Sequence, residues 1–141
     1  MMAIDQILAD FSYLDDWEDR YRYLIELGRK LTPLPEGERT PANKVSGCAS
    51  QVWLSTHMAR HDEARLHFIG DSDAHIVRGL IAILIALFDG KTPAEIAVLD
   101  AERTFAALDL QAHLSSQRSN GLRAMVARIK ADARKALAPT G

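Results

Sequence analysis

The chain has 141 residues, the size of one ordinary domain, and its 48% hydrophobic and 26% charged content is average for a globular protein. That excludes a disordered chain, a collagen-like repeat and a disulfide-dense scaffold. Seventeen Lys and Arg against nineteen Asp and Glu leave a formal charge of −2, so the broad attraction to phosphate behind nucleic-acid binding is missing and no nucleic-acid partner is expected. The longest uncharged apolar run, Gly79 to Phe88, has ten residues, and a membrane-spanning helix needs roughly 20, so no membrane partner is expected either. Asp5 and Asp10 stand where a secretory signal would carry positive charge, which makes a reducing cytoplasm the expected setting. With no repeat, low-complexity tract or linker, one domain over 1–141 is expected.

In chain order, Ile4, Ile7, Leu8 and Phe11 have the i, i+3, i+4, i+7 spacing of an amphipathic helix. Trp17, Tyr21, Leu24 and Ile25 repeat it after Asp15 and Asp16, which are good N-cap types. The stretch 32–43, TPLPEGERTPAN, holds three of the five prolines and reads as a loop. From Gln51 the period changes to two, with Val52, Leu54, Thr56 and Met58 on one face. Leu66, Phe68 and Gly70 alternate likewise after a polar stretch from Arg60 to Glu63, so the two runs read as an antiparallel hairpin, with 44–46 as a short third strand. Asp71-Ser72-Asp73 suits a helix N-cap, and the segment from Ala74 to Phe88, apolar on every side in its later half, predicts a buried central helix. Thr92, Pro93 and Glu95 stand in the order of a capped short helix. Residues 101–114 read as broken helix. Leu122, Met125, Val126, Ile129 and Ala133 mark one face of a last helix opened by Ser119 and Asn120, whose other face is basic: Arg123, Arg128, Lys130, Arg134 and Lys135.

One residue dominates the chemistry. Cys48 is the single cysteine, so the chain cannot close an internal disulfide, form a CxxC redox pair or build a cysteine-rich metal site. It stands in KVSGCASQVWL, between the proline-rich loop and the first strand, where a rigid scaffold can present a reactive group. Gly47 permits a tight turn there, and Ser46, Ala49 and Ser50 add little bulk. On local sequence a reactive thiol and a small buried hydrophobe are equally good descriptions. His57 and His61 have the spacing of a helical metal pair but lie on a strand running into a turn, and no first shell completes them. His75 and His113 read as structural. No phosphate-cradling or serine-esterase motif is present.

The blocks around Cys48 resemble the SufE/CsdE family of sulfur acceptors that work with cysteine desulfurases. They are WEDRYRYLIELGRKL at 17–31, V-x-G-C-x-S-x-V-W at 45–53, GDSDAHIVRGLIAIL at 70–84, KTPAEI at 91–96 and LSSQRSNGLRAM at 114–125. SufE and CsdE share these blocks. The resemblance implies an α/β (α+β) fold, a small curved antiparallel sheet of about three strands with helices around it, similar to IscU-type scaffolds. It also implies that Cys48 takes sulfane sulfur as a persulfide from a pyridoxal-phosphate desulfurase (SufS- or CsdA-like), stimulates that enzyme, and delivers sulfur to a SufBCD-like scaffold for iron–sulfur assembly. The chain itself would need no cofactor and would be a monomer or weak homodimer. A cluster scaffold needs several thiolates, and one cysteine cannot supply them.

Attack requires a thiolate, so a neighbouring cation or donor is expected to lower the Cys48 pKa. Arg118 is the first candidate and His57 another. Gly47, Gln51 and Asp73 are candidates for supporting the cysteine loop. The alternative function is a non-carrying allosteric activator that only binds the desulfurase.

Overall fold

The computed structural model describes residues 3–60 and 64–137. Helix α1 (Ile4–Tyr13) buries Ile7 and Phe11, and α2 (Trp17–Arg29) follows a short turn. Asp16 caps α2, its carboxylate accepting from the Asp19 N–H at 2.8 Å. Arg20 then reaches back to donate to the Leu14 carbonyl, and adds a second bond to the Phe11 carbonyl, which already accepts from the Leu14 N–H.

Strands β1 (Val52–Arg60) and β2 (Ala64–Ser72) form an antiparallel hairpin with Val52 opposite Ser72 and His57 opposite His67. The period-two pattern holds: Leu66, Phe68, Gly70 and Ser72 are buried, and the residues between them are not. His61, the second histidine of the supposed metal pair, lies outside the described residues.

The expected third strand shrinks to a single bridge. Lys44 pairs with Trp53, and the Val45 N–H donates to the Val52 carbonyl at 2.9 Å. Upstream, the Asn43 and Lys44 N–H groups are turned into the 3-10 turn, each donating to the Thr40 carbonyl at 3.1 Å, so the pairing goes no further. Downstream, Gly47 at φ +89° turns the chain away.

Helix α3 (His75–Phe88) is the centre of the core, with every residue buried except His75, Arg78 and Ala86. It crosses α2 at Gly28 and Gly79, so closely that a Cβ on Gly79 would lie 2.2 Å from the Leu24 carbonyl oxygen. The chain continues through α4 (Pro93–Val98), α5 (Ala101–Ala107), α6 (Leu110–His113) and α7 (Ser116–Leu137). Thr92 and Glu95 make the expected reciprocal capping box at the start of α4. The break expected in 101–114 falls at Asp109, in the left-handed region at φ +57°. Helix α7 packs on α4 and touches α3 and β1, closing one hydrophobic core to which both sheet and helices contribute.

Two local expectations are corrected. Asp71 and Asp73 do not cap α3: Ala74 occupies the N-cap position and makes no side-chain capping bond. Asp71 is instead drawn into an ion-pair network, bonded to the Arg39 guanidinium and 3.0 Å from Arg78 Nε, while Asp73 binds the backbone at Gln51. Helix α7 starts at Ser116 rather than at Ser119 and Asn120, because the Ser115 hydroxyl accepts from the Arg118 N–H at 3.2 Å and so caps the helix one turn earlier.

Candidate functional site

The segment before Cys48 is not a slack loop. Residues 36–43 form two short 3-10 turns, Glu36–Glu38 and Pro41–Asn43. Asn43 Nδ2 donates to the Glu38 carbonyl at 2.9 Å, and the Arg39 guanidinium lies 4.9 Å from the Trp53 ring centroid. Arg128, from α7, donates to the Ala42 carbonyl at 2.8 Å, and its Nε faces Asp132, which accepts from the Thr56 hydroxyl on β1 at 2.7 Å. Val45 is buried. Beyond Cys48, the Gln51 N–H donates to Asp73 Oδ1 at 3.0 Å, and the Gln51 carbonyl accepts from the Asp73 N–H at 3.4 Å. Cys48 therefore sits on a turn whose two ends are fastened to the sheet and to the start of α3.

The thiol faces inward. Cys48 is partly buried, and its Sγ–H donates to the Gly121 carbonyl on α7 at 3.6 Å. The absent side chain of Gly121 makes room for this: a Cβ there would stand 3.5 Å from the sulfur. On the other side, Gly47 backs onto Ala124, whose Cβ lies 3.3 Å from where a Gly47 Cβ would be. Beside the thiol is a small recess of about 20 Å³, walled by Val77, Leu80, Gln117, Arg118, Gly121 and Met125. That is room for about one water-sized atom, and most of the wall is apolar.

Burial pushes the Cys48 thiol up from its ordinary value, because the thiolate would lose hydration in this seat. The direction is opposite to the lowering expected from a neighbouring cation. Arg118 is brought to the wall of the same recess, although its residue is exposed in the first turn of α7. His57 is elsewhere, on β1, with Nε2 2.7 Å from Glu38 Oε1 and 2.8 Å from Ser55 Oγ. Among the sequence candidates, then, Gly47, Gln51, Asp73 and Arg118 all lie around the Cys48 turn, and His57 does not.

Gly121, Met125, Val77 and Leu80 were not singled out from sequence. Gly121 carried a signal: a glycine inside a helix is destabilising by about 1 kcal/mol relative to alanine, which points to a close approach by another part of the chain. The apolar wall residues carried none, since they look like any core positions.

The basic face of α7 is largely engaged within the molecule. Arg128 is paired with Asp132, Lys130 Nζ donates to the carbonyls of Ala97 and Leu99 at the end of α4, and Arg123 lies 4.0 Å from Glu102. His113 stacks on Trp17 with centroids 4.1 Å apart, which pins α6 to α2. Among the described residues, no three His, Cys, Asp or Glu side chains are grouped as metal ligands, and no helix is long and apolar enough to cross a membrane.

Comparisons with known proteins agree with one another. The chain is 59% identical over 135 residues to a SufE-like protein of Rhizobium etli, covering 95% of this chain and 91% of the relative. It is 57% identical over 134 residues to a SufE-like protein of Rhizobium meliloti, covering 94% and 96%. The solution structure of a hypothetical protein from Thermus thermophilus superposes with a TM-score of 0.73 at 23% identity, over 96% of this chain and 98% of that one, and so shares the fold. The family model for the SufE Fe-S metabolism associated domain matches residues 5–133. Matched by this family model almost from end to end, and more than half identical to both relatives, the chain belongs to the SufE family.

Proposed function

We propose that this protein is a sulfur carrier for iron–sulfur cluster assembly, with Cys48 as the residue that holds the sulfur. The observation that carries the reading is the seat of the thiol: the only cysteine of the chain lies on a short turn, half in and half out, beside a recess with room for one more atom.

The chemistry is thiol–disulfide exchange applied to a persulfide. A pyridoxal-phosphate cysteine desulfurase presents sulfur as a persulfide on its own cysteine. The Cys48 thiolate attacks the outer sulfur, the S–S bond to the donor breaks, and the donor cysteine leaves as a thiolate. Cys48 now carries the persulfide, with no net oxidation. A thiolate of the recipient scaffold attacks the same outer sulfur in turn and returns Cys48 as a thiolate. No cofactor in this chain is needed, and pyridoxal phosphate stays with the partner. A cytoplasmic setting suits a carrier that works as a free thiol.

The buried position has two effects in this mechanism. Inside, desolvation keeps the thiol protonated and slow to react. Turned out toward a partner, Cys48 leaves the Gly121 carbonyl, regains hydration and forms thiolate more readily. After transfer, return to the recess shields the outer sulfur from small reducing thiols. Gly47 supplies the backbone freedom for the turn, and the Gln51–Asp73 pair holds its downstream end.

Mass spectrometry of the intact chain after incubation with a cysteine desulfurase and cysteine tests this directly. One reducible sulfur mapped to Cys48, absent in Cys48→Ser, is the expected result. Desulfurase stimulation that persists in Cys48→Ser, with no sulfur on the unaltered chain, would replace the carrier with the non-carrying activator.

A further inference from the structure

We propose that Glu38 and His57, with Ser55 between them, are positioning residues: together with the ties at Arg39, Ala42 and Val45 they hold residues 36–45 to the sheet, and so confine the movement that takes Cys48 from its recess to 46–50. The meaning for transfer rests on the carrier function above, but the division of the loop does not.

Three side chains from separate parts of the chain meet at one point. The Ser55 hydroxyl, buried on β1, donates to Glu38 Oε1 at 2.5 Å. His57 Nε2, two residues along, lies 2.7 Å from the same carboxylate oxygen and 2.8 Å from Ser55 Oγ. The geometry does not support hydrolysis. Both contacts of His57 are made by one ring nitrogen, so there is no relay through the imidazole, and the hydroxyl is buried. What it does support is attachment. Glu38 belongs to a 3-10 turn that makes no strand pairing of its own, and its carboxylate is the point at which that turn meets the middle of β1.

The attachment matters because of what lies on either side of it. Upstream of Cys48, residues 36–45 are tied at Glu38, Arg39, Ala42 and Val45. Among the described residues, the one side-chain hydrogen bond made between Val45 and Gln51 is that of Cys48 itself. Cys48 stands three residues from each fixed end, so the chain can carry it at most about 10 Å from either. With both ends fixed, it moves on a short arch over the recess and drops back into the same seat. With Glu38 and Ser55 removed, Arg39, Ala42 and Val45 still tie the segment, but its upstream part is held by fewer bonds and opens more often, carrying Cys48 out of its seat with it.

The test uses the double variant Glu38→Ala/Ser55→Ala, which leaves no buried hydroxyl without a partner, and His57→Arg, which offers an N–H donor beside Glu38. Amide hydrogen exchange is measured along the chain, and iodoacetamide alkylation of Cys48 is timed in the absence of any partner. In the double variant, exchange at 38–45 and Cys48 alkylation are expected to rise together, roughly threefold to tenfold, the range expected for losing one or two hydrogen bonds. Exchange in α3 stays as it was, and His57→Arg remains near the parent. His57→Ala, which leaves the Glu38–Ser55 bond in place, gives a smaller rise. Loosening of 38–45 with no change in alkylation would overturn the proposal, as would exchange at 38–45 already as fast as at 46–50 in the parent. Acceleration throughout α3 would show general destabilisation instead. None of these readings involves a transferred sulfur atom or a partner, so failure of the carrier function would leave them unaffected.

Discussion

Gly121→Ala should raise stability and lower sulfur loading at once. Replacing a helical glycine with alanine gains about 0.8–1 kcal/mol from backbone propensity alone. The new methyl would meet Cys48 Sγ at 3.5 Å and the Cys48 Cα and Cβ at 3.7 Å, ordinary van der Waals contact, so no strain offsets the gain. For a chain of this length, about 1 kcal/mol corresponds to a rise of roughly 3–5 °C in Tm. The same methyl enters a recess of about 20 Å³, where a persulfide would need to place its outer sulfur about 2 Å from Sγ. Thermal unfolding followed by circular dichroism measures the first effect. Quantifying persulfide at Cys48 after desulfurase turnover, and its survival in glutathione, measures the second. A higher Tm with a persulfide lost several-fold faster is the expected pair. Unchanged loading and survival would refute the recess as the resting place of the sulfur, and a lower Tm would refute the contact geometry.

Gly79→Ala should behave in the opposite way. Its Cβ would lie 2.2 Å from the Leu24 carbonyl oxygen, a backbone atom that cannot step aside, so α2 and α3 must separate and the loss should be about 3 kcal/mol or more in urea unfolding. Asp73→Ala removes the acceptor for the Gln51 N–H and should speed Cys48 alkylation several-fold, while stability falls by only about 1 kcal/mol; a change in stability without a change in alkylation would assign Asp73 to the fold alone. The pH dependence of alkylation has a fixed sign. Burial favours the protonated thiol, so the rate in the folded chain should rise to its plateau at higher pH than in urea-unfolded chain, and any stability drawn from the neutral thiol should fade as pH rises through the folded value. A folded midpoint below the unfolded one would mean that a cation governs the thiol even in its seat.

The elements legible in the sequence were those specified by neighbours in the chain. Ile4, Ile7 and Phe11 mark α1 by spacing alone, the uninterrupted apolar run marks α3, and Thr92 and Glu95 satisfy each other across one turn. The misread residues were those whose partners are remote. Asp71 and Asp73 have the local signature of a helix cap, yet Arg39 and Gln51 lie 32 and 22 positions away and take them instead. Ser119 and Asn120 are good cap types, yet the Ser115 hydroxyl takes the Arg118 N–H and starts the helix a turn earlier. Cys48 was found at once as the single cysteine, but its acceptor at Gly121 is 73 positions later. The arginine placed beside it by resemblance reaches the recess without lowering the thiol in the closed form. No local pattern announces the meeting of Glu38, Ser55 and His57, since none of the three has an unusual residue type for its position.

The separation of 73 positions between Cys48 and the carbonyl that receives its thiol also sets an order of events in time. On the ribosome the cysteine emerges long before α7 exists, and until Gly121 and Met125 arrive the recess has only its α3 wall of Val77 and Leu80. A nascent chain stalled after residue 114 thus holds a bare thiol, open to sulfenic acid and glutathione adducts, while the finished chain hides it. The last helix is therefore the part of this protein that ends the vulnerable period of its only reactive atom.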